Sequence, residues 1–216
     1  YEVTDTTTDC SVIVEHVVAP YDLISATATV TSNATCSDAT DGTIDVTVTG
    51  YTGTFDYVVL DSTGSAIVGT NDSDNATTDP YVFTVSTTLG AGTYSVQITE
   101  TADPLCITET NPVTISAPQP LALSLLANVN ANCNQPNAIV TVQASGGTAP
   151  YSYGASQGGT GVPATFPFDA TVELDPLTAT NWDIYVQDAN GCIIAVPLSV
   201  TIGADTTPDI TDRKST

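Results

Sequence analysis

Between Tyr1 and Asp212 the chain contains no lysine and no arginine; both basic residues, Arg213 and Lys214, stand among the last four of 216 positions. Against them are 24 acidic residues, a formal net charge of −22 at neutral pH. Proteins hold nucleic acid by neutralising its phosphates with Lys and Arg, so this charge excludes a nucleic-acid partner. The same field repels an anionic membrane surface. No apolar run approaches the roughly 18 residues that a membrane-spanning helix needs, so membrane insertion is not expected. Nothing resembles a signal peptide, which makes the chain as given either mature or excised from something longer.

Histidine is almost as scarce. His16 is the single one, and it sits in the strand-like run Val12 to Val18, where a solvent-facing role is the expectation. Residues 22–205 contain no histidine and no lysine, so a nucleophile–base pair of the Ser-His-Asp or Ser-Lys kind cannot be assembled there. No pair of carboxylates is singled out for glycoside hydrolysis either. The chain is therefore expected not to be an enzyme, and to need no cofactor for catalysis.

What is present points to strands. The chain is 41% apolar, enough for one or two ordinary cores. In Thr43 to Thr49, Ile44, Val46 and Val48 alternate with Thr and Asp; Tyr94, Val96 and Ile98 alternate in the same way, as do Trp182, Ile184 and Val186. Period two marks a strand with one face on a core, and the many Thr and Val residues suit a pleated surface. Turn dipeptides separate these runs: Asp41-Gly42, Gly146-Gly147, Gly158-Gly159 and Asn190-Gly191. No window shows a helical stripe.

The sequence also repeats. Cys36, then Ile44, Val46, Val48 and the run Gly50 to Tyr57, matches Cys133, then Val140, Val142, Ala144 and the run Gly146 to Tyr153. Further on, Tyr94 to Glu100 followed by Cys106 matches Trp182 to Asp188 followed by Cys192. Two complete units follow, residues 22–118 and 119–205, each close to the length of an immunoglobulin-like β-sandwich. The expected fold class is all-β, with tandem sandwiches carrying one disulfide each. The join at Ala117-Pro118-Gln119-Pro120 is short and proline-stiffened, which predicts two sandwiches end to end with little flank contact.

Each unit has one cysteine before its first alternating strand and one after its last. The natural pairs are Cys36 with Cys106 and Cys133 with Cys192, closing loops of 70 and 59 residues. Each would contribute about 4 kcal/mol in the chain-entropy picture, and disulfides imply an oxidising, extracellular compartment. A zinc site fits poorly, since there is no CxxC spacing. The fifth cysteine, Cys10, follows Tyr1 to Asp5 as Cys106 follows Val96 to Glu100. Residues 1–21 therefore read as the closing strands of a preceding repeat. They are completed either by polypeptide before Tyr1 or by a neighbouring subunit through β-strand addition. In both cases Cys10 has no partner among the other four cysteines. Residues 206–216 read as a linker or the opening of another unit.

The run Gly146 to Tyr153, with Val186-Gln187-Asp188-Ala189-Asn190-Gly191-Cys192, resembles the SprB repeat, which occurs in tandem in giant surface adhesins of gliding Bacteroidota. The first unit resembles it through Cys36 to Ile44 and Ala91 to Tyr94. It departs from the pattern at Gly50-Tyr51 and in an insertion over about 61–80, and the second unit departs at Pro163 and Pro167. The resemblance implies a structural segment of an extracellular filament, exported by type IX secretion and, in gliding species, moved along the cell for traction. Its partners would be neighbouring repeats or subunits and an external surface or polysaccharide.

Three kinds of decoration are readable beside it. Asp38, Asp41 and Asp45, with Asp72 and Asp74 in the insertion, form oxygen-rich acidic clusters of the type calcium prefers, though no EF-hand spacing is present. Tyr51, Tyr81, Tyr151 and Tyr153 form either core aromatics or a sugar-stacking face, the latter making the chain a carbohydrate-binding module. Asn33, Asn71 and Asn75 stand in N-linked acceptor patterns. Thr6, Ser62 and Thr206 stand in Asp-Ser/Thr-x contexts that resemble O-linked acceptors of Bacteroidota.

Overall fold

The computed structural model describes residues 2–13, 15, 23–51, 53–67, 72–74, 78–85, 88–132, 137–168 and 173–205, with backbone alone at 72–74 and 173–176. Every regular element among them is a β-strand. The chain opens with a hairpin, β1 (Glu2–Thr4) against β2 (Ser11–Ile13), in the register Val3 to Val12.

The first unit follows as β3 (Ser25–Ser32), β4 (Thr43–Thr49), β5 (Phe55–Asp61), β6 (Asp72–Asp74), β7 (Tyr81–Thr84), β8 (Gly92–Glu100), β9 (Ile107–Glu109) and β10 (Val113–Ile115). One sheet has the order β3-β4-β7, the other β10-β8-β5-β6. Strands β9 and β10 lie end to end along β8, Ile107 opposite Thr99 and Val113 opposite Tyr94, and act as one interrupted edge strand. The two sheets enclose a core in which Ile44, Val46, Val48, Val96 and Ile98 have no exposure, so the period-two faces of β4 and β8 meet each other. Asn111 ties the sheets at one edge by bonding both the N–H and the carbonyl of Ala28 on β3, at 3.1 and 3.2 Å. The 61–80 insertion contributes β6, which covers the free edge of β5.

The second unit repeats this plan as β11 (Ala122–Val129), β12 (Ala131–Asn132), β13 (Ala138–Ser145), β14 (Ser152–Gln157), β15 (Glu173–Leu177), β16 (Asn181–Gln187), β17 (Leu198–Thr201) and β18 (Ala204–Asp205). Its sheets run β11-β13-β15 and β14-β16-β17 around a separate core built on Val140, Val142, Ile184 and Val186. Strand for strand, β11, β13 and β15 stand where β3, β4 and β7 stand, and β14, β16 and β17 where β5, β8 and β10 stand. Two antiparallel sheets with this order are an immunoglobulin-like sandwich. Pro163 and Pro167 fall in the connection between β14 and β15, where no ladder bond is asked of them.

Gly50 and Gly146 match in space as well as in sequence. Each has a positive φ, 70° and 75°, and each lies against the lead-in of its unit's first strand. A Cβ on Gly146 would lie 2.0 Å from the Pro120 carbonyl oxygen, and one on Gly50 would lie 2.5 Å from that of Leu23. Left-handed backbone costs an L-residue roughly 1–2 kcal/mol before any clash. We expect Gly146→Ala to destabilise the second unit by at least about 2 kcal/mol, read as a lower denaturant midpoint at unchanged slope. An unchanged midpoint would mean that the linker does not press on this turn.

The candidate tyrosines are mostly core. Tyr153 is buried, and Tyr51, Tyr81 and Tyr151 are half-buried against the two cores. Tyr51 and Phe55 pack edge-on with centroids 5.3 Å apart, and Tyr81 and Phe83 lie 6.3 and 5.7 Å from Phe55. The Tyr51 hydroxyl donates to the Thr78 carbonyl, and that of Tyr151 to the Gly146 carbonyl at 2.6 Å. Burial pushes the Tyr153 hydroxyl above its usual pKa.

Candidate functional site: the covalent joint between units

The expected pairing within units is not what the fold makes. Cys36 is bonded to Cys192, across a sequence separation of 156 and with the Cα atoms 5.7 Å apart. The described disulfide therefore joins the two units instead of closing either one, which replaces the expected Cys36–Cys106 and Cys133–Cys192 bonds. Topology supplies the reason. Ala34, two residues before Cys36, donates its N–H to the Ser116 carbonyl, placing the opening cysteine beside the end of β10 and the start of β8. Cys106 lies at the other end of β8, where its carbonyl accepts from Glu100 N–H. Nine residues of strand separate those poles, about 27–30 Å at 3.3–3.4 Å per residue. A disulfide needs Cα atoms within about 7 Å. Cys133 lies outside the described residues; its neighbour Ala131 donates to the Gly203 carbonyl, as Ala34 does to that of Ser116.

The closing cysteine sits on a hairpin that occurs three times. Asp188 N–H donates to the Cys192 carbonyl, Glu100 N–H to that of Cys106, and Asp5 N–H to that of Cys10, all at 2.9–3.0 Å. In the second unit the loop is held by the Asp188 carboxylate, which is only 6% exposed. It accepts from the backbone N–H groups of Thr148, Asn190 and Cys192 at 2.8, 2.9 and 2.9 Å, aiming the Cys192 side chain at the first unit. Asn190 completes the joint by donating to the Thr35 carbonyl at 3.1 Å. Between the units lies a cleft of about 110 Å³ bordered by Cys36, Pro118, Pro120, Asp188 and Cys192. Cys10 is exposed and carries a free thiol.

On the opening side, Asp41 fixes the loop that presents Cys36. Its carboxylate accepts from the Thr35 hydroxyl at 2.5 Å and from the Thr35 N–H at 2.9 Å, and the hydroxyl bond chiefly holds its pKa below the ordinary 3.8. Because the folded value is the lower one, this stabilisation is present above the unfolded pKa and is lost as pH falls through the folded pKa. We expect the denaturant midpoint of Asp41→Asn to fall less between pH 7 and pH 3 than that of the parent. Parallel pH profiles would show that Asp41 does not hold the loop.

The other candidate residues are placed as follows. Asp38 is exposed beside Cys36, while the Asp45 carboxylate accepts from the Thr84 hydroxyl at 2.6 Å. Asp72 and Asp74 lie on β6, whose side chains are not described. Among the described residues no three His, Cys, Asp or Glu side chains gather into a metal-holding set. Thr6 and Ser62 are exposed on turns, and Asn33 is exposed with its side-chain oxygen accepting from Ser116 N–H at 2.9 Å. His16, Asn71, Asn75 and Thr206 lie outside the described residues.

Comparison with known proteins finds a family model that matches part of each unit. The family model of the SprB repeat matches residues 28–64 and 127–160, covering β3 to β5 in the first unit and the corresponding strands of the second. No curated protein matches. Among solved structures, the chain is similar to the C-terminal 282-residue fragment of intimin, crystallised with the intimin-binding domain of its translocated receptor. That similarity has 12% identity and a TM-score of 0.35, over 83% of this chain and 64% of the fragment. It is also similar to the fibronectin(III)-like modules of Clostridium thermocellum CbhA, with 17% identity and a TM-score of 0.31, over 82% of this chain and 94% of the other. A third likeness is to the BSP domain of a biofilm associated protein, with 18% identity and a TM-score of 0.28, over 86% of this chain and 30% of the other. The SprB repeat model thus matches one segment in each sandwich, and the disulfide runs between the two matched units.

Proposed function

We propose that this chain is a structural stretch of an extracellular surface filament or adhesin, built to space and hold and not to catalyse. The observation that carries the reading is the Cys36–Cys192 bond between two SprB-type repeats, because a disulfide is kept in an oxidising compartment and this one serves the array and not a single domain. The absence of Lys and Arg up to Asp212 supports it, since densely arrayed filaments of one charge sign repel one another and stay dispersed. Adhesion, and traction in a gliding cell, are the roles such a filament would serve. Units 22–118 and 119–205 are its repeats.

The hairpin of β1 and β2 extends the reading. Val3, Val12 and Ile13 are 64%, 63% and 70% exposed on it, while its Asp5–Cys10 bond matches those of the two closing hairpins. We read it as a third closing hairpin, whose free Cys10 thiol stands where Cys192 stands in its own hairpin and is open to an opening-loop cysteine of another unit. The test is surface labelling. Antibody raised against this chain should stain intact producing cells, and protease shaving should remove the signal. Staining that requires permeabilisation would overturn the proposal.

A further inference from the structure

We propose that the Cys36–Cys192 bond is a force-carrying joint that makes the pair of repeats inextensible, with β3 and β17 forming one covalent spine along which tension passes. In the first unit β3 enters at Ser25, opposite Thr49 of β4, and leaves at Ser32, opposite Thr43. It thus crosses the sandwich from one pole to the other before reaching Cys36. In the second unit the chain leaves Cys192, meets β16 again at Ile193, and runs along β17 from Leu198 to Thr201 beside Ile184 to Asn181. β3 and β17 are strands already close to full extension, so the length left to give lies in the short loops that join them to Cys36 and Cys192.

Everything between the two cysteines hangs beside this spine. A pull on residues before Cys36 and after Cys192 passes through the sulfur–sulfur bond, so it cannot draw out the intervening polypeptide, which includes β4 to β16 and most of both cores. Noncovalent unfolding under tension is then confined to the flanks. Those flanks are pinned: β3 by its ladder to β4 and by Asn111 at Ala28, and β17 by its ladder to β16 and by Asn128, which donates to the Thr201 carbonyl at 3.1 Å. Disulfides within each unit would have left the linker and both outer strands in series. The inter-unit bond bypasses the linker as well. This inference needs only the bond and the topology, and stands or falls separately from the surface assignment.

The experiment is single-molecule stretching of the full chain between handles at its two termini. With the bond verified intact by mass, unfolding should release only residues outside Cys36 to Cys192. Adding reductant to the same chain should expose a further contour of roughly 500–560 Å, at 3.3–3.6 Å per residue over the 156-position separation. Cys36→Ser should behave as the reduced parent, and if that variant fails to fold, the reductant arm on the parent decides. Release of the whole length from the oxidised chain, or no added length on reduction, would overturn the proposal.

Discussion

Replacing Cys36 or Cys192 with serine should destabilise the chain by about 5 kcal/mol, the loop-closure value for a ring of this size. For a protein of this length that corresponds to a fall in Tm on the order of 10–20 °C. The informative comparison is the double variant. Because the two sulfurs form one bond, Cys36→Ser, Cys192→Ser and the double replacement should melt together, with a coupling that cancels the second loss. If each cysteine instead closed its own unit, the two single losses would add. Additive melting temperatures would therefore refute the inter-unit bond.

Phe55→Ala should have an effect of similar size, about 3–5 kcal/mol, because Phe55 is fully buried at the centre of the Tyr51, Tyr81 and Phe83 cluster. Its removal takes away the surface on which both half-buried tyrosines rest. Tyr51→Phe keeps the ring and loses only the hydroxyl bond to the Thr78 carbonyl, so it should cost about 1 kcal/mol. Denaturant unfolding reads both variants, and truncation of the tyrosines themselves separates the two roles open to them. Tyrosines that serve the core lose stability when truncated to Ala, whereas exposed sugar-stacking rings would be lost with stability intact.

Much of this architecture is legible in the residues alone. Ile44, Val46 and Val48 alternate with polar neighbours because β side chains point to opposite faces, and those three are fully buried. Tyr94 and Trp182, which head the other two alternating runs, are only half-buried against the cores. The repeat between Gly50 to Tyr57 and Gly146 to Tyr153 reports a shared turn, since both glycines stand where a Cβ would strike the backbone of the incoming strand. The cluster around Phe55 was visible only as aromatic content, because which rings touch depends on how two sheets face each other. The role of Asp188 was also hidden: a carboxylate gathering three backbone N–H groups looks, in sequence, like one more acid on an acidic chain.

Strand identity and repeat length come from sequence by itself, because local periodicity and turn chemistry act between residues close in the chain. The cysteine pairing was decided only by tertiary structure. Sequence shows an opening and a closing cysteine in each unit and suggests joining them, but in the first unit antiparallel pairing sends Cys36 and Cys106 to opposite poles of the sandwich. The pole that carries Cys36 is the one that meets the next unit, and the Asp188 loop holds Cys192 there. A bond that needs its partners within about 7 Å therefore forms between neighbours in space, across 156 positions of chain, and not between neighbours in the repeat.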